Sequence, residues 1–496
     1  MMSLFPWKYP VGATTFAARI PPPSNQSRGH IIGNAKYKAS ARNGGLPHTP
    51  ALILEEIAFT AYYPADVSSE NAPSSKLSKG MHWLTRPVHS SLRGYAYFAG
   101  TPFWLVYLLF RGISSLLKVP AYSNAPLLHP QRREGGGDKP WPLVIFSHGL
   151  GGTRTNYSHV CSRLAAEGKI VLAIEHRDGT SPFVMTRTPI PGRDEGTEQP
   201  GPSDKIYINP DDVYWENEVE SDKLPLRRDQ LAYRRLETYL TYTYFRRLVE
   251  TSIGGEDKVN ALHTIDGPWN FEFEKRPDDL RFWKSWTRDA HSSDVKVDVS
   301  NELDLVGHSF GSATVLSILS EPVPSLEGHS FTSLPVKHIV ALDPWIEPLP
   351  SPGPSPRQVE TSLAKSPSPP KLLVMNSEGF TFWDDHFARL RETVETWKDA
   401  FPVAAEDNAR LLTLLRGKHI AFSDFWLLIP FGQQAKDART FADLILDLSV
   451  AFLDGNFSEV LQKQNIKDHE IEPLPKKQGW EDKRYVGGFG DLVIHI

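Results

Sequence analysis

The chain has 496 residues, 23% of them charged, and a formal net charge of −5. That length is too great for one small domain and too short to force two, and a hydrophobic content of 40% supplies a sizeable core. The slight acidity and the lack of a lysine or arginine stripe argue against nucleic acid as a partner. With one cysteine, Cys161, no intrachain disulfide can form, and its setting in a helical stretch marks it as a buried structural thiol.

Residues 1–50 are rich in Pro, Gly, Asn and Ser and read as a poorly structured N-terminal arm. Pro6 and Pro10 interrupt the first ten residues, which lack the apolar core of a signal peptide, so a cytoplasmic location is expected. A strand is expected over 57–64. The most apolar stretch, 98–117, is broken by Gly100, Pro102 and Arg111, and a spanning helix needs roughly 20 predominantly apolar residues. It reads as a buried or an interfacial helix, with Phe103, Trp104 and Tyr107 as lipid-interface candidates that allow peripheral contact with membranes.

After a glycine-rich linker at 132–139 the core pattern begins. Residues 143–146 form a buried-strand run that ends in Ser147-His148-Gly149-Leu150-Gly151-Gly152. A helix follows over 157–168, with Gly168 as its C-cap, then a strand over 170–174. Strand, loop, helix, strand is the order of a parallel sheet. Polar loop insertions are expected at 186–226 and 348–370. Between them Leu236, Leu240, Tyr244 and Leu248 recur every fourth residue, marking an amphipathic helix. Further strands are expected over 303–306, 338–342 and 371–375, and a helix over 436–454 that ends before Gly455. Residues 51–455 thus read as one catalytic domain and 456–496 as a C-terminal tail that looks irregular from Lys476.

Within this order Gly307-His308-Ser309-Phe310-Gly311 sits between a strand and a helix that opens with small residues. A serine at the tip of so sharp a turn projects its hydroxyl, and only glycines leave room for the backbone. A hydroxyl is a weak nucleophile until a histidine takes its proton, and that histidine needs an acid to hold its tautomer. In this strand-turn-helix context the acid and then the histidine follow the serine in the chain. Asp343 stands at the carboxyl end of the next strand and is the expected acid, with Glu378, Asp384 and Asp385 as runners-up. His419 is the expected base, with His386 second. The backbone N–H groups of Leu150 and Phe310 are the expected oxyanion donors. Asp384, Asp385, His386 and His419 have no zinc-site spacing, so neither a metal nor another cofactor is assigned.

The blocks Phe146-Ser147-His148-Gly149-Leu150-Gly151, Glu175-His176-Arg177-Asp178, Gly307 to Thr314, Ala341-Leu342-Asp343-Pro344-Trp345 and His419 to Phe425 occur in that order. Together, over about residues 55–455, they resemble the platelet-activating-factor acetylhydrolases of the plasma and intracellular type II group. The resemblance implies an α/β-hydrolase with a mostly parallel sheet flanked by helices. It implies calcium-independent cleavage of short or oxidised sn-2 acyl chains from glycerophospholipids such as 1-alkyl-2-acetylglycerophosphocholine. It carries over Ser309, Asp343, His419 and the amides of Leu150 and Phe310 in the roles above, and an apolar lipid-docking surface for which 98–110 is the segment here. The chain departs from the pattern in its longer loops, in one residue fewer just before His419 and in lacking a signal peptide. Two other readings stay open: a general carboxylesterase of small soluble esters, and a catalytically silent hydrolase-fold protein that binds lipid or a partner. No oligomeric state is assigned.

Overall fold

The computed structural model of the chain describes residues 7–26, 29–67, 79–130, 139–186, 203–216, 224–251, 262–265, 280–288, 295–350, 369–401, 408–429, 431–478 and 481–496. The linker at 132–138, most of the insertion at 186–226 and nearly all of that at 348–370 lie outside them.

A 12-stranded sheet organises the molecule. Eleven of its strands are labelled here: β1 (Val11–Arg19), β2 (Glu56–Pro64), β3 (Lys79–His82), β4 (Lys118–Ser123), β5 (Trp141–Ser147), β6 (Ile170–Ile174), β7 (Val297–His308), β8 (Val336–Leu342), β9 (Lys371–Ser377), β10 (Ala409–Leu414) and β11 (Leu492–Ile494). Their spatial order is β11-β10-β9-β8-β7-β5-β6-β2-β1-β4-β3. From β10 to β6 every neighbouring pair is parallel, and antiparallel pairs flank this block. The order runs outward from β5 and β7 in both directions. Loops at the carboxyl ends of these strands therefore converge above the middle of the sheet, where open α/β sheets place their ligand sites.

The helices that matter for the site are α1 (Val88–Phe98), α2 (Phe103–Leu116), α3 (Ser158–Ala166), α4 (Pro225–Glu250), α5 (Phe310–Ser320), α6 (Asp384–Asp399) and α7 (Gln433–Asp454). Period-2 alternation in the central strands divides the core between the two faces. Leu143 and Ile145 pack with α4 and α5, whereas Val144 and Phe146 pack with α3 and α7. Strands covered on both faces read as continuous apolar runs, and for that reason the central strands were legible in sequence. Gly168 adopts φ +94° just beyond α3, as its expected capping role requires.

Two expectations are corrected. The expected poorly structured arm over 1–50 contains β1, an interior strand buried along eight of its nine residues and paired with β2 over its full length. Its small residues hide it from a composition count, because Gly12 must pass beneath the Tyr63 ring, where an added Cβ would sit 2.4 Å from a ring carbon. The tail is not irregular either. Strand Ile471–Gln478 pairs antiparallel with Glu481–Tyr485, and β11 closes the edge of the main sheet against β10. The hairpin carries mostly charged residues and Pro, which conceal its strand character.

The apolar stretch at 98–117 becomes the end of α1, a turn and α2. No helix among the described residues is long and apolar enough to cross a membrane.

Candidate active site

Ser309 lies between β7 and α5 with φ +56° and ψ −118°. A non-glycine residue held there costs on the order of 1–3 kcal/mol, so its surroundings must impose the conformation. They do so through hydrogen bonds. Ser309 N donates to Leu342 O at 2.9 Å, Trp345 N donates to Ser309 O at 3.2 Å, and Ser312 Oγ donates to Gly307 O at 2.7 Å. The flanking glycines are there for room. A Cβ on Gly307 would lie 2.4 Å from Gly311 O, and one on Gly311 would lie 2.0 Å from Ser147 O.

Asp343 follows β8 at φ +44° and is fully buried. His419 opens a short 3-10 turn after β10. The fold brings the three together: His419 Nε2 is 3.0 Å from Ser309 Oγ, and His419 Nδ1 is 2.7 Å from Asp343 Oδ2. The imidazole lies flat against Phe380, with ring centroids 4.5 Å apart and planes 5° apart, and meets His308 at a tilt, with centroids 4.6 Å and planes 36° apart. Burial and the neighbouring His419 hold His308 well below the usual imidazole range. It is a neutral wall whose Nδ1 meets the Tyr157 hydroxyl at 2.8 Å.

Sequence reasoning passed over Ser377. Its N–H donates to Asp343 Oδ1 and its Oγ to Asp343 Oδ2, both at 2.7 Å, so the carboxylate has one orientation. The available signal was topological, since β8 and β9 are parallel neighbours whose carboxyl ends must abut. Asp424 was also passed over. Its carboxylate accepts from Trp83 Nε1, Ser158 N and Oγ, and His159 N and Nδ1, which ties the segment after His419 to the start of α3. Burial opposes the charge, but the contacts with His159, Ser158 and Trp83 hold this carboxyl below its ordinary range.

The runners-up have other partners. Glu378 accepts from Arg416 N at 2.6 Å and Tyr485 N at 3.0 Å, fixing the loop ahead of His419. Asp384 and Asp385 are exposed, and Asp384 faces Lys483 at 3.3 Å. His386 is buried, accepts from Ile346 N, and is pushed down by that burial to about 4. Among the described residues, no group of three or more His, Cys, Asp and Glu side chains is placed to hold a metal ion.

Leu150 lies in the loop after β5, and Phe310 directly follows Ser309. Phe310 begins α5, so its N–H has no acceptor within the helix. In the loop after β5, Gly151 N donates to Thr180 O and Gly152 N to Gly149 O, while the Leu150 N–H has no acceptor among the described residues. Gly149 must pass the nucleophile closely, since a Cβ there would be 3.0 Å from Ser309 Cβ. A hydroxyl on an imidazole, an imidazole on a carboxylate and two adjacent amides form an arrangement able to run acyl transfer.

Of the three lipid-interface candidates, Trp104 is exposed on α2. Phe103 and Tyr107 turn inward against His89, with centroids 4.9 and 5.8 Å away. The outward face is instead continued by Leu108, Leu109, Ile113 and Leu116.

The family model described as "Platelet-activating factor acetylhydrolase, isoform II" matches residues 51–473. A platelet-activating factor acetylhydrolase of Canis lupus familiaris is 27% identical over 365 residues, covering 73% of this chain and 62% of that protein. One from Gallus gallus is 26% identical over 357 residues, covering 71% of this chain and 68% of its own. The chain therefore spans about two thirds of the length of these curated relatives. Among solved structures, a ferulic acid esterase from Streptomyces cinnamoneus aligns over 90% of both chains with a TM-score of 0.45 and 15% identity. With most of its length inside one family model and its mostly parallel α/β sheet, the chain belongs to the platelet-activating factor acetylhydrolase isoform II family.

Proposed function

We propose that this chain is a calcium-independent serine esterase that removes a short, acetyl-type acyl group from the sn-2 position of a glycerophospholipid. The observation that carries the reading is the single imidazole bridging Ser309 and Asp343 at hydrogen-bond distance on both sides. His419 Nε2 accepts the Ser309 proton as Oγ attacks the acyl carbonyl, and Asp343 holds Nδ1–H and stabilises the imidazolium. The oxyanion forms opposite the N–H groups of Leu150 and Phe310. His419 then protonates the departing lyso-lipid oxygen, and water repeats the cycle on the acyl-enzyme. All charge is handled by protein groups, so the chemistry needs no cation.

Lipid presentation is supported by α2. Trp104, Leu108 and Leu116 are 67%, 75% and 81% exposed on a helix that packs by its other face. An exposed apolar band of this kind suits peripheral docking at an interface, where each buried CH₂ contributes about 0.8 kcal/mol. Trp104→Lys with Leu108→Glu is expected to weaken binding to phosphatidylcholine vesicles by tenfold or more, on the order of that burial. Turnover of p-nitrophenyl acetate should stay within about twofold, because neither side chain packs in the core. Vesicle sedimentation with a parallel esterase assay checks both.

The reading itself is tested by acetate release from a 2-acetyl glycerophospholipid in excess chelator, comparing wild type with Ser309→Ala. Serine-dependent release supports it. Cleavage of p-nitrophenyl acetate alone would mean a general carboxylesterase, and silence on both substrates from folded protein would mean a binding protein.

A further inference from the structure

A buried, multiply bonded cation lies outside the Ser309–His419–Asp343 group. Arg234 of α4 is fully buried. Its Nε donates to Asp178 Oδ2 at 2.8 Å, its Nη2 to Thr180 Oγ1 at 2.6 Å and its Nη1 to His148 O at 2.7 Å. Its guanidinium carbon lies 4.7 Å from the centre of the Phe310 ring.

These partners share a property. His148 starts the loop that carries Leu150, and Thr180 O accepts from Gly151 N at 2.9 Å, gripping the same loop from its other side. Phe310 carries the second amide. One rigid fork thus touches both structures from which the oxyanion donors project, and the planar five-donor geometry of arginine makes that possible. We infer that Arg234 is a positioning residue for the oxyanion hole, holding the Leu150 and Phe310 amides in register for the developing negative charge. This rests on the esterase reading above.

Arg234 belongs to a polar stripe. Arg227, Gln230, Arg234 and Glu237 recur at 3–4-residue spacing along α4, and each bonds the segment from Glu175 to Tyr207 or a neighbour on the stripe. Gln230 Nε2 donates to Asp178 O at 2.8 Å. Glu237 Oε1 accepts from Arg177 N at 2.8 Å, and Oε2 lies 2.6 Å from His176 Nδ1. His176 Nε2 lies 2.8 Å from Ser147 Oγ, next to the oxyanion loop. Serine, histidine and glutamate here repeat the outline of the Ser309 site, yet all three are sealed from solvent. Burial pushes His176 well below its usual range and Glu237 well above its own. Their contacts support the strand end, while Arg234 pairs with Asp178 at the loop.

The test is steady-state hydrolysis of p-nitrophenyl acetate by wild type, Arg234→Lys and Arg234→Met, normalised to Ser309 titrated to completion with a fluorophosphonate. The expected result for Arg234→Met is a kcat loss of roughly 10–100-fold with KM within twofold, since small misplacement of donors costs on that order. An alkyl trifluoromethyl ketone, which binds serine as an oxyanion, should weaken by a similar factor. The histidine limb of the pH–rate profile should not move, and Arg234→Lys should recover part of the loss. Wild-type kcat in folded Arg234→Met, or a loss confined to KM, overturns the assignment. If that variant does not fold, Thr180→Val decides in the same way by removing one arm of the fork. A wild-type enzyme silent on the ester would overturn the esterase reading and this role with it.

Discussion

Ser309→Ala is expected to lower ester hydrolysis by about 10⁶-fold, the scale on which removal of a triad nucleophile acts. The residual rate over water would come from the two amides and from substrate binding. Stability should barely change. The Ser309 hydroxyl has His419 as its bonding partner, and the His419 side chain is 40% exposed, so water replaces the lost contact. Alanine keeps the Cβ that the elbow already accommodates, and the backbone bonds to Leu342 and Trp345 remain. Turnover of p-nitrophenyl acetate, fluorophosphonate labelling and a melting curve on the same preparation check this. Undiminished turnover or labelling would remove Ser309 from the mechanism.

The second large effect is Asp343→Asn, with an expected kcat loss of about 10⁴-fold. Asp343 accepts three hydrogen bonds, from Ser377 N, Ser377 Oγ and His419 Nδ1. An asparagine keeps its oxygen on the Ser377 N–H and thereby turns its NH₂ toward the imidazole. That donor pairs with an unprotonated Nδ1, which places the proton on Nε2 and leaves Ser309 without a base. Ser377→Ala is the milder counterpart, because the Ser377 N–H persists. Comparing kcat for Asp343→Asn with its melting temperature separates chemistry from stability, and near wild-type kcat would show that Asp343 is not the orienting acid.

Much of this was legible because local and global signals agree. The elbow is readable where small residues are sterically required, and the central strands where burial on both faces removes polar interruptions. Asp343 was legible because Pro344 halts β8 just beyond it. Other features were hidden for equally physical reasons. β1 is mostly small and hydroxyl residues whose burial depends on β2 and β4, and the charged Ile471–Tyr485 hairpin has little local strand preference.

Helix α4 shows the limit most clearly. Its apolar repeat at Leu236, Leu240, Tyr244 and Leu248 was visible, and the adjoining stripe with Arg227, Arg234 and Glu237 has the composition of a solvated face. In the fold that stripe is buried against the loops after β5 and β6: Arg234 and Glu237 have partners supplied from 56 to 86 residues away in sequence, and Arg227 bonds Tyr207, 20 residues away. The same applies to α2, where apolar composition marked a buried or interfacial helix but packing on His89 decided that Trp104, not Phe103 or Tyr107, faces outward. By itself, then, the sequence determined the candidate groups, their chain order and the parallel core, because these follow from local sterics and period. Which polar groups are buried, and which carboxylates hold loops rather than imidazoles, were decided only by tertiary structure. Charge and hydroxyl groups acquire their roles from distant neighbours and from the exclusion of water, and neither is encoded in a local pattern.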